Sequence, residues 1–137
     1  KHNLAFSIAS WEYHHILNES NIQKAFGVQA IIGEIETREN IKILHCVESG
    51  SRAWGFASPD SDYDVRFIYV RPKEFYLRLD KTRDVIEWQL DDTLDINGWD
   101  ISKALSLLYK SNPTLFEWNS SPIVYKTTKE WESIATI

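Results

Sequence analysis

Positions 62 to 69 read Asp-Tyr-Asp-Val-Arg-Phe-Ile-Tyr, and this alternation constrains the chain more than any other feature. On a helix, Tyr63, Val65, Phe67 and Tyr69 would scatter around the axis. On a strand, with its period of two, they line one face. The pattern predicts a strand from about Asp62 to Val70, stopped at Arg71-Pro72 because the residue before a proline is restricted. The opposite face would then carry Asp62, Asp64 and Arg66. Asp64 stands out there, since aspartate is disfavoured inside strands.

The segment before it supplies a second strand and a turn. Ile41-Lys42-Ile43-Leu44-His45-Cys46-Val47 is apolar and rich in branched residues, and it lies between Asn40 and Ser49-Gly50. It reads as a buried strand that ends at the glycine. Ser51 is placed to cap a short helical turn through Trp54, with Gly55 ending it, so that backbone N–H groups of the turn can cradle a phosphate. Two carboxylates two residues apart on a strand lie about 6–7 Å from each other. That spacing suits a shared pair of divalent ions about 3.5–4 Å apart, an arrangement used for in-line displacement at phosphorus. The competing structural reading makes Ser58-Pro59-Asp60-Ser61-Asp62 a solvated loop and Asp64–Arg66 a surface ion pair. It explains each piece separately but not their proximity in sequence to the Gly50-Ser51 turn.

A third carboxylate is expected from further along. Asp84-Val85-Ile86-Glu87-Trp88-Gln89-Leu90 reads as a strand, Asp91-Asp92 as a tight turn, and Thr93 to Asn97 as the returning strand. Leu94 and Ile96 would point to one side, leaving Asp95 and Asn97 on the other. If this strand neighbours the Asp62–Asp64 strand, Asp95 can reach the same site. Glu87 and Asp100 are the competing carboxylates. Asp100 reads better as a helix cap, because Ile101, Ala104, Leu105 and Leu108 follow it at helical spacing.

These stretches carry a resemblance. Gly50-Ser51 followed by Asp62-Tyr63-Asp64 on a strand resembles the signature of the DNA polymerase beta-like nucleotidyltransferase superfamily. The longer strings Glu48-Ser49-Gly50-Ser51-Arg52-Ala53-Trp54-Gly55-Phe56 and Ser61-Asp62-Tyr63-Asp64-Val65-Arg66-Phe67 are similar to its bacterial branch of predicted nucleotidyltransferases of an RNA repair pathway. The likeness continues through Asp95-Ile96-Asn97-Gly98-Trp99-Asp100, Lys110-Ser111-Asn112-Pro113 and Ser121-Pro122-Ile123-Val124-Tyr125, covering roughly residues 40 to 125. The resemblance implies transfer of a nucleoside monophosphate from a nucleoside triphosphate to a hydroxyl acceptor, RNA among the candidates. It implies two Mg²⁺ or Mn²⁺ ions held by Asp62, Asp64 and Asp95. Phosphates would be met by Gly50, Ser51, Arg52 and Arg66. A second reading keeps the fold without turnover, as a nucleotide- or RNA-binding module in an operon or toxin–antitoxin setting. The two readings divide on whether Asp95 reaches the Asp62–Asp64 pair.

Composition bounds the rest. The chain has 137 residues, 43% hydrophobic, which suits one globular domain with a real core. No run approaches the apolar length of a membrane span and the amino terminus lacks a signal pattern, so the cytoplasm is the expected compartment. A net charge of −5 argues against broad, sequence-blind attraction to nucleic acid, although Arg66, Arg71, Lys73, Arg78, Lys81 and Arg83 could form a local basic patch. Cys46 is the single cysteine and reads as buried packing. The chain has no methionine, not even an initiator, which reads as a fragment or a processed product.

The expected architecture is α+β, a small mixed sheet of about four strands flanked by helices. The core would span about 28–125, after a helical segment at 1–27. Val28 to Asn40 is an amphipathic helix through Ile31, Ile32 and Ile35. Pro72 to Leu79 is expected as a short helix burying Phe75, Tyr76 and Leu79. Asn112-Pro113 ends the helix after Asp100 and Thr114 to Trp118 begins another. Ile123-Val124-Tyr125 reads as a brief strand, and Lys129 onward as a last helix. Trp118 and Tyr125 are core or lid residues. His14-His15 lacks the ligand spacing of a metal site.

Overall fold

The computed structural model describes residues 19–55, 62–91 and 94–136. Of the helical segment expected at 1–27, residues 1–18 lie outside the described residues, as do the His14-His15 pair and the Ser58–Ser61 loop. The described chain opens with helix α1 (Glu19–Glu39). Val28, Ile32 and Ile35, one turn apart along one side, are buried. Glu34 and Arg38 pair at 2.8 Å on the outside. Asn40 ends the helix at φ 52°, in the left-handed conformation that favours Asn or Gly after a helix.

Strands β1 (Lys42–Glu48) and β2 (Tyr63–Val70) follow, then the single helical turn α2 (Lys73–Tyr76). Next come the hairpin β3 (Val85–Asp91) and β4 (Leu94–Asp100), then α3 (Ile101–Tyr109), α4 (Pro113–Asn119), β5 (Val124–Thr127) and α5 (Lys129–Ala135). The sheet has five strands in the order β3-β4-β2-β1-β5. All neighbours are antiparallel except β2 and β4, which run parallel. The expected brief strand at Ile123–Tyr125 is thus β5, an edge strand on β1, and it brings the count from about four to five. Among the described residues no helix is long and apolar enough to cross a membrane.

Each face of the sheet has its own core. Ile43, Cys46, Val65, Phe67, Tyr69, Ile86 and Ile96 pack with Val28, Ile32 and Ile35 of α1. Leu44, Val47 and Ile68 pack on the other face with Ala104, Leu115, Trp118 and Trp131 from α3, α4 and α5. Trp118 stacks on Trp99, with ring centres 4.0 Å apart. Gly98 on β4 makes room for Phe67, since a Cβ there would lie 2.2 Å from the ring.

One expected element is corrected. The helix after Pro72 is only Lys73–Tyr76 and buries none of its residues. Leu79 is fully exposed and Tyr76 is partly in solvent. Phe75 faces guanidinium groups instead of a core, with Arg71 at 4.5 Å and Arg78 at 5.7 Å from its ring centre. The Tyr76 hydroxyl accepts from the Arg71 N–H and donates to Asp100, each at 2.9 Å. These polar and cationic partners supply what the aromatic pattern suggested apolar burial would.

Candidate active site

Because Val65, Phe67 and Tyr69 point into the core beneath α1, Asp64, Arg66 and Ile68 point to the opposite face. The same alternation on β4 sends Leu94 and Ile96 toward α1, and Asp95, Asn97 and Trp99 the other way. That second face is divided. Its Ile68 and Trp99 end is covered by α3, α4 and α5. Its other end carries Asp64, Arg66, Asp95 and Asn97, all only partly buried. Beyond them on β3, Glu87 pairs in register with Asn97 and Gln89 with Asp95.

The parallel pairing of β2 with β4 aligns Asp64 with Asp95 and Arg66 with Asn97. The two aspartates therefore stand side by side on neighbouring strands, on one face. Arg66 lies over both. Its Nη2 is 2.9 Å from Asp95 Oδ2 and 3.8 Å from Asp64 Oδ1, while its Nη1 donates to the carbonyls of Val65 at 3.0 Å and Asp95 at 3.2 Å. Asp62 sits just before β2 and is exposed, outside the strand where the alternation placed it. Among the described residues no group of three His, Cys, Asp or Glu side chains is placed to hold a metal ion.

The competing carboxylates fall elsewhere. Asp100 pairs in register with Tyr69, at the far end of β4. Its buried carboxylate caps α3 by accepting from the Ser102 N–H and hydroxyl, both at 2.8 Å. Glu87 shares the open face but stands one strand farther out, 3.5 Å from the Asn97 amide.

The Gly50-Ser51 turn sits against Asp64. The N–H of Ala53 bonds to the Gly50 carbonyl at 2.9 Å and that of Trp54 to Ser51 at 3.2 Å, and Gly55 closes the turn at φ 81°. A Cβ on Gly50 would lie 1.9 Å from Asp64 Oδ2, so the absence of a side chain lets the carboxylate tuck beneath the turn. Arg52 does not share that face. It is buried with its guanidinium 4.1 Å from the ring centre of Tyr63, whose side chain alternates away from Asp64.

Glu48 is the residue that sequence reasoning left without a role. It ends β1 and is fully buried. One oxygen accepts the Asp64 backbone N–H at 2.8 Å and the other the Tyr125 hydroxyl at 2.9 Å. The Ser49 N–H bonds to the Asp64 carbonyl at 2.9 Å, so the Asp64 backbone is held on both sides. Ser121 adds a hydroxyl bond to the Glu48 carbonyl. Burial pushes the Glu48 carboxyl up to about 7; the bonds from Asp64 and Tyr125 and the Arg52 charge oppose this, while the Asp64 charge adds to it. The available signal was an acidic residue at the end of an apolar strand, next to a glycine turn. Tyr125, expected in the core or a lid, is in the core.

A five-stranded mixed sheet with helices on both faces, and two aspartates side by side, one of them tucked beneath a glycine-serine turn, defines a small α+β domain with an acidic floor. Residues 27–136 match the RNA repair pathway DNA polymerase beta family (RlaP), and the chain belongs to that family. The chain is also similar to the uncharacterized protein YcgL of Bacillus subtilis (strain 168), with 59% identity over 100 residues, covering 71% of this chain and 38% of that protein. It thus spans well under half the length of that relative. No solved structure matches.

Proposed function

We propose that this domain carries out nucleotidyl transfer, moving a nucleoside monophosphate from a nucleoside triphosphate to a hydroxyl acceptor, with an RNA end as the acceptor class the family description favours. The observation that carries the reading is the in-register pairing of Asp95 with Asp64, which is tucked beneath Gly50, on a part of the sheet that no helix among the described residues covers. Asp64, Asp95 and the adjacent Asp62 are the proposed ligands of two Mg²⁺ or Mn²⁺ ions. Support for a cation at this place comes from the pair itself, which already converges on a cationic group in Arg66. Carboxylate oxygens are also the donors such hard ions prefer. When bound, the ions would polarise the acceptor hydroxyl and offset charge on the departing pyrophosphate.

The chain's own groups supply the rest. Backbone N–H groups of the Gly50-Ser51 turn, with the Ser51 hydroxyl, are proposed to hold the β- and γ-phosphates. Arg66 would offset phosphate charge on the same face. Arg52 is proposed to support the turn from behind, through its stack on Tyr63. The acceptor oxygen would form its bond to the α-phosphorus as the bond to the bridging α–β oxygen breaks. Its proton would pass to an Asp95 carboxylate oxygen, which is half-exposed and within reach of the floor. Glu48 would act through Asp64, whose backbone it holds.

The test is incubation of the longest form of the protein with each labelled nucleoside triphosphate, Mg²⁺ or Mn²⁺ and RNA acceptors, beside Asp64→Asn and Asp95→Asn. Label transfer by wild type, lost in both variants while they remain folded, is expected. Equal transfer in all three would sink the proposal. Binding of triphosphate without transfer would favour the non-catalytic binding module instead.

A further inference from the structure

The cation that lies between Asp64 and Asp95 belongs to the chain, and the manner in which it is held suggests a purpose. Arg66 places one guanidinium nitrogen on the two carboxylates, at 2.9 and 3.8 Å, and the other on two backbone carbonyls. Its side chain is 19% exposed, whereas those of Asp64 and Asp95 are 31% and 46% exposed. The guanidinium thus rests in a niche of the strand backbone, and the carboxylates beneath its outer edge remain open to water. Two like charges aligned on neighbouring strands repel, and a cation between them relieves this. Arg66 is positioned to provide that cation, and its attachment to the carboxylates is solvated enough to be exchanged.

Building on the proposed function, we infer that Arg66 is an internal counter-ion for the Asp64–Asp95 pair: it competes with divalent cations for the carboxylates and, once displaced, turns to the phosphates of the incoming triphosphate. Arg66 sits two residues from Asp64 on the same face, in register with Asn97, so its displaced head group stays over the floor. A guanidinium presents a planar fork that suits carboxylate and phosphate alike. Cation binding and triphosphate binding would then be linked through one side chain, and linkage of this kind is reciprocal. The rival view is that Arg66 is a fixed clamp tying β2 to β4, which makes the opposite prediction about cation affinity.

Mn²⁺ titration by calorimetry, on wild type, Arg66→Gln and Arg66→Lys without nucleotide, separates the two. A competing counter-ion predicts that Arg66→Gln binds Mn²⁺ about tenfold more tightly than wild type, within the usual range of coupling between linked sites. Arg66→Lys, a point charge without the fork, should bind more tightly than wild type by a smaller factor, and it serves alone if the glutamine variant does not fold. At saturating Mn²⁺, a non-hydrolysable triphosphate should bind Arg66→Gln about tenfold more weakly than wild type. Unchanged or weaker Mn²⁺ binding in folded variants overturns the inference and leaves the proposed function standing. Failure of folded wild type and of both variants to bind Mn²⁺ overturns both.

Discussion

Replacing Gly50 with alanine tests the site at its tightest point. The added Cβ would stand 1.9 Å from Asp64 Oδ2, 2.8 Å from its Cγ and 3.1 Å from its Cβ. To restore a separation of even 3.0 Å, the oxygen must retreat by 3.0 − 1.9, or about 1.1 Å. The Asp64 backbone resists following it, because its N–H is held by Glu48 and its carbonyl by the Ser49 N–H. The side chain must therefore turn away, at an off-rotamer cost of about 1 kcal/mol. Gly50 itself is not among the positive-φ positions, so an alanine backbone is not barred there. The stability loss should stay near that small figure. A reacting group displaced by about 1 Å can lose about 100-fold in rate, or about 2.7 kcal/mol of barrier. The expected signature is a large fall in kcat/KM for labelled nucleotide transfer, with a melting temperature only a few degrees below wild type. Gly55→Ala offers the contrast: nothing lies within 4 Å of its added Cβ, but φ 81° strains it, so it should lose about 1 kcal/mol of stability without crowding Asp64. Gly50→Ala with wild-type kcat/KM would refute the claim that Asp64 acts from beneath the turn.

Two further expectations concern residues away from the acidic floor. Burial lowers the His45 pKa from 6.5 to about 4, partly opposed by the Trp118 backbone, and the ring stacks on Trp131 with centres 5.3 Å apart. The unfolded chain takes up this proton first, so the contribution is present above pH 6.5 and is lost as pH falls toward 4; at 1.36 kcal/mol per unit it amounts to about 3 kcal/mol. Glu48, whose carboxyl is raised from 4.5 to about 7, adds stability as pH falls over the same window in both proteins, so the test is the difference: in urea unfolding across pH 7 to 4 the stability of wild type relative to His45→Gln should fall by this amount, and parallel profiles would exclude it. Asp100→Ala removes the α3 cap and the acceptor of the Tyr76 hydroxyl, which water can replace, so it should destabilise by about 1–2 kcal/mol while leaving Mn²⁺ affinity unchanged. Weaker Mn²⁺ binding in the folded variant would return Asp100 to the list of candidate ligands.

Much of this arrangement is legible locally. The Tyr63–Tyr69 alternation sets which way Asp64 and Arg66 point, and Leu94 and Ile96 do the same for Asp95, because the strand period is a property of a few consecutive residues. The parallel pairing that aligns Asp64 with Asp95 is not local, since α2 and β3 lie between the two strands in the chain. An adjacency expected as a condition in the sequence is a register in the fold. Glu48 escaped assignment for the same reason: at the end of an apolar run it looks like a boundary, and one of its partners, Tyr125, arrives only with β5. Arg52 shows another long-range contact. Directly after Gly50-Ser51 it reads as a phosphate contact, and in the fold its guanidinium lies 4.1 Å from the ring centre of Tyr63, eleven residues on. The Phe75 and Tyr76 pattern likewise resembles a buried helix face until Arg71 and Arg78 occupy it.

The division of the sheet face also separates the parts of the site that are packed from those that are open. Along β2 the open-face residues change from Asp64 and Arg66 to Ile68, and along β4 from Asp95 and Asn97 to Trp99. The apolar ends require cover, and α3, α4 and α5 provide it; the charged ends would be penalised by the same burial and so stay open. The floor beneath them is tied in from several directions. Val65 and Ile96 anchor it from below, Glu48 ties the Asp64 backbone toward β5, and the Gly50 turn lies against the carboxylate. The proposed ligands would bind on such a floor by side-chain exchange more than backbone rearrangement, which favours precise placement of reacting groups. In the proposed exchange Arg66 is the side chain that moves, and the strength of its hold on Asp95, at 2.9 Å, would set how readily the pair accepts another cation.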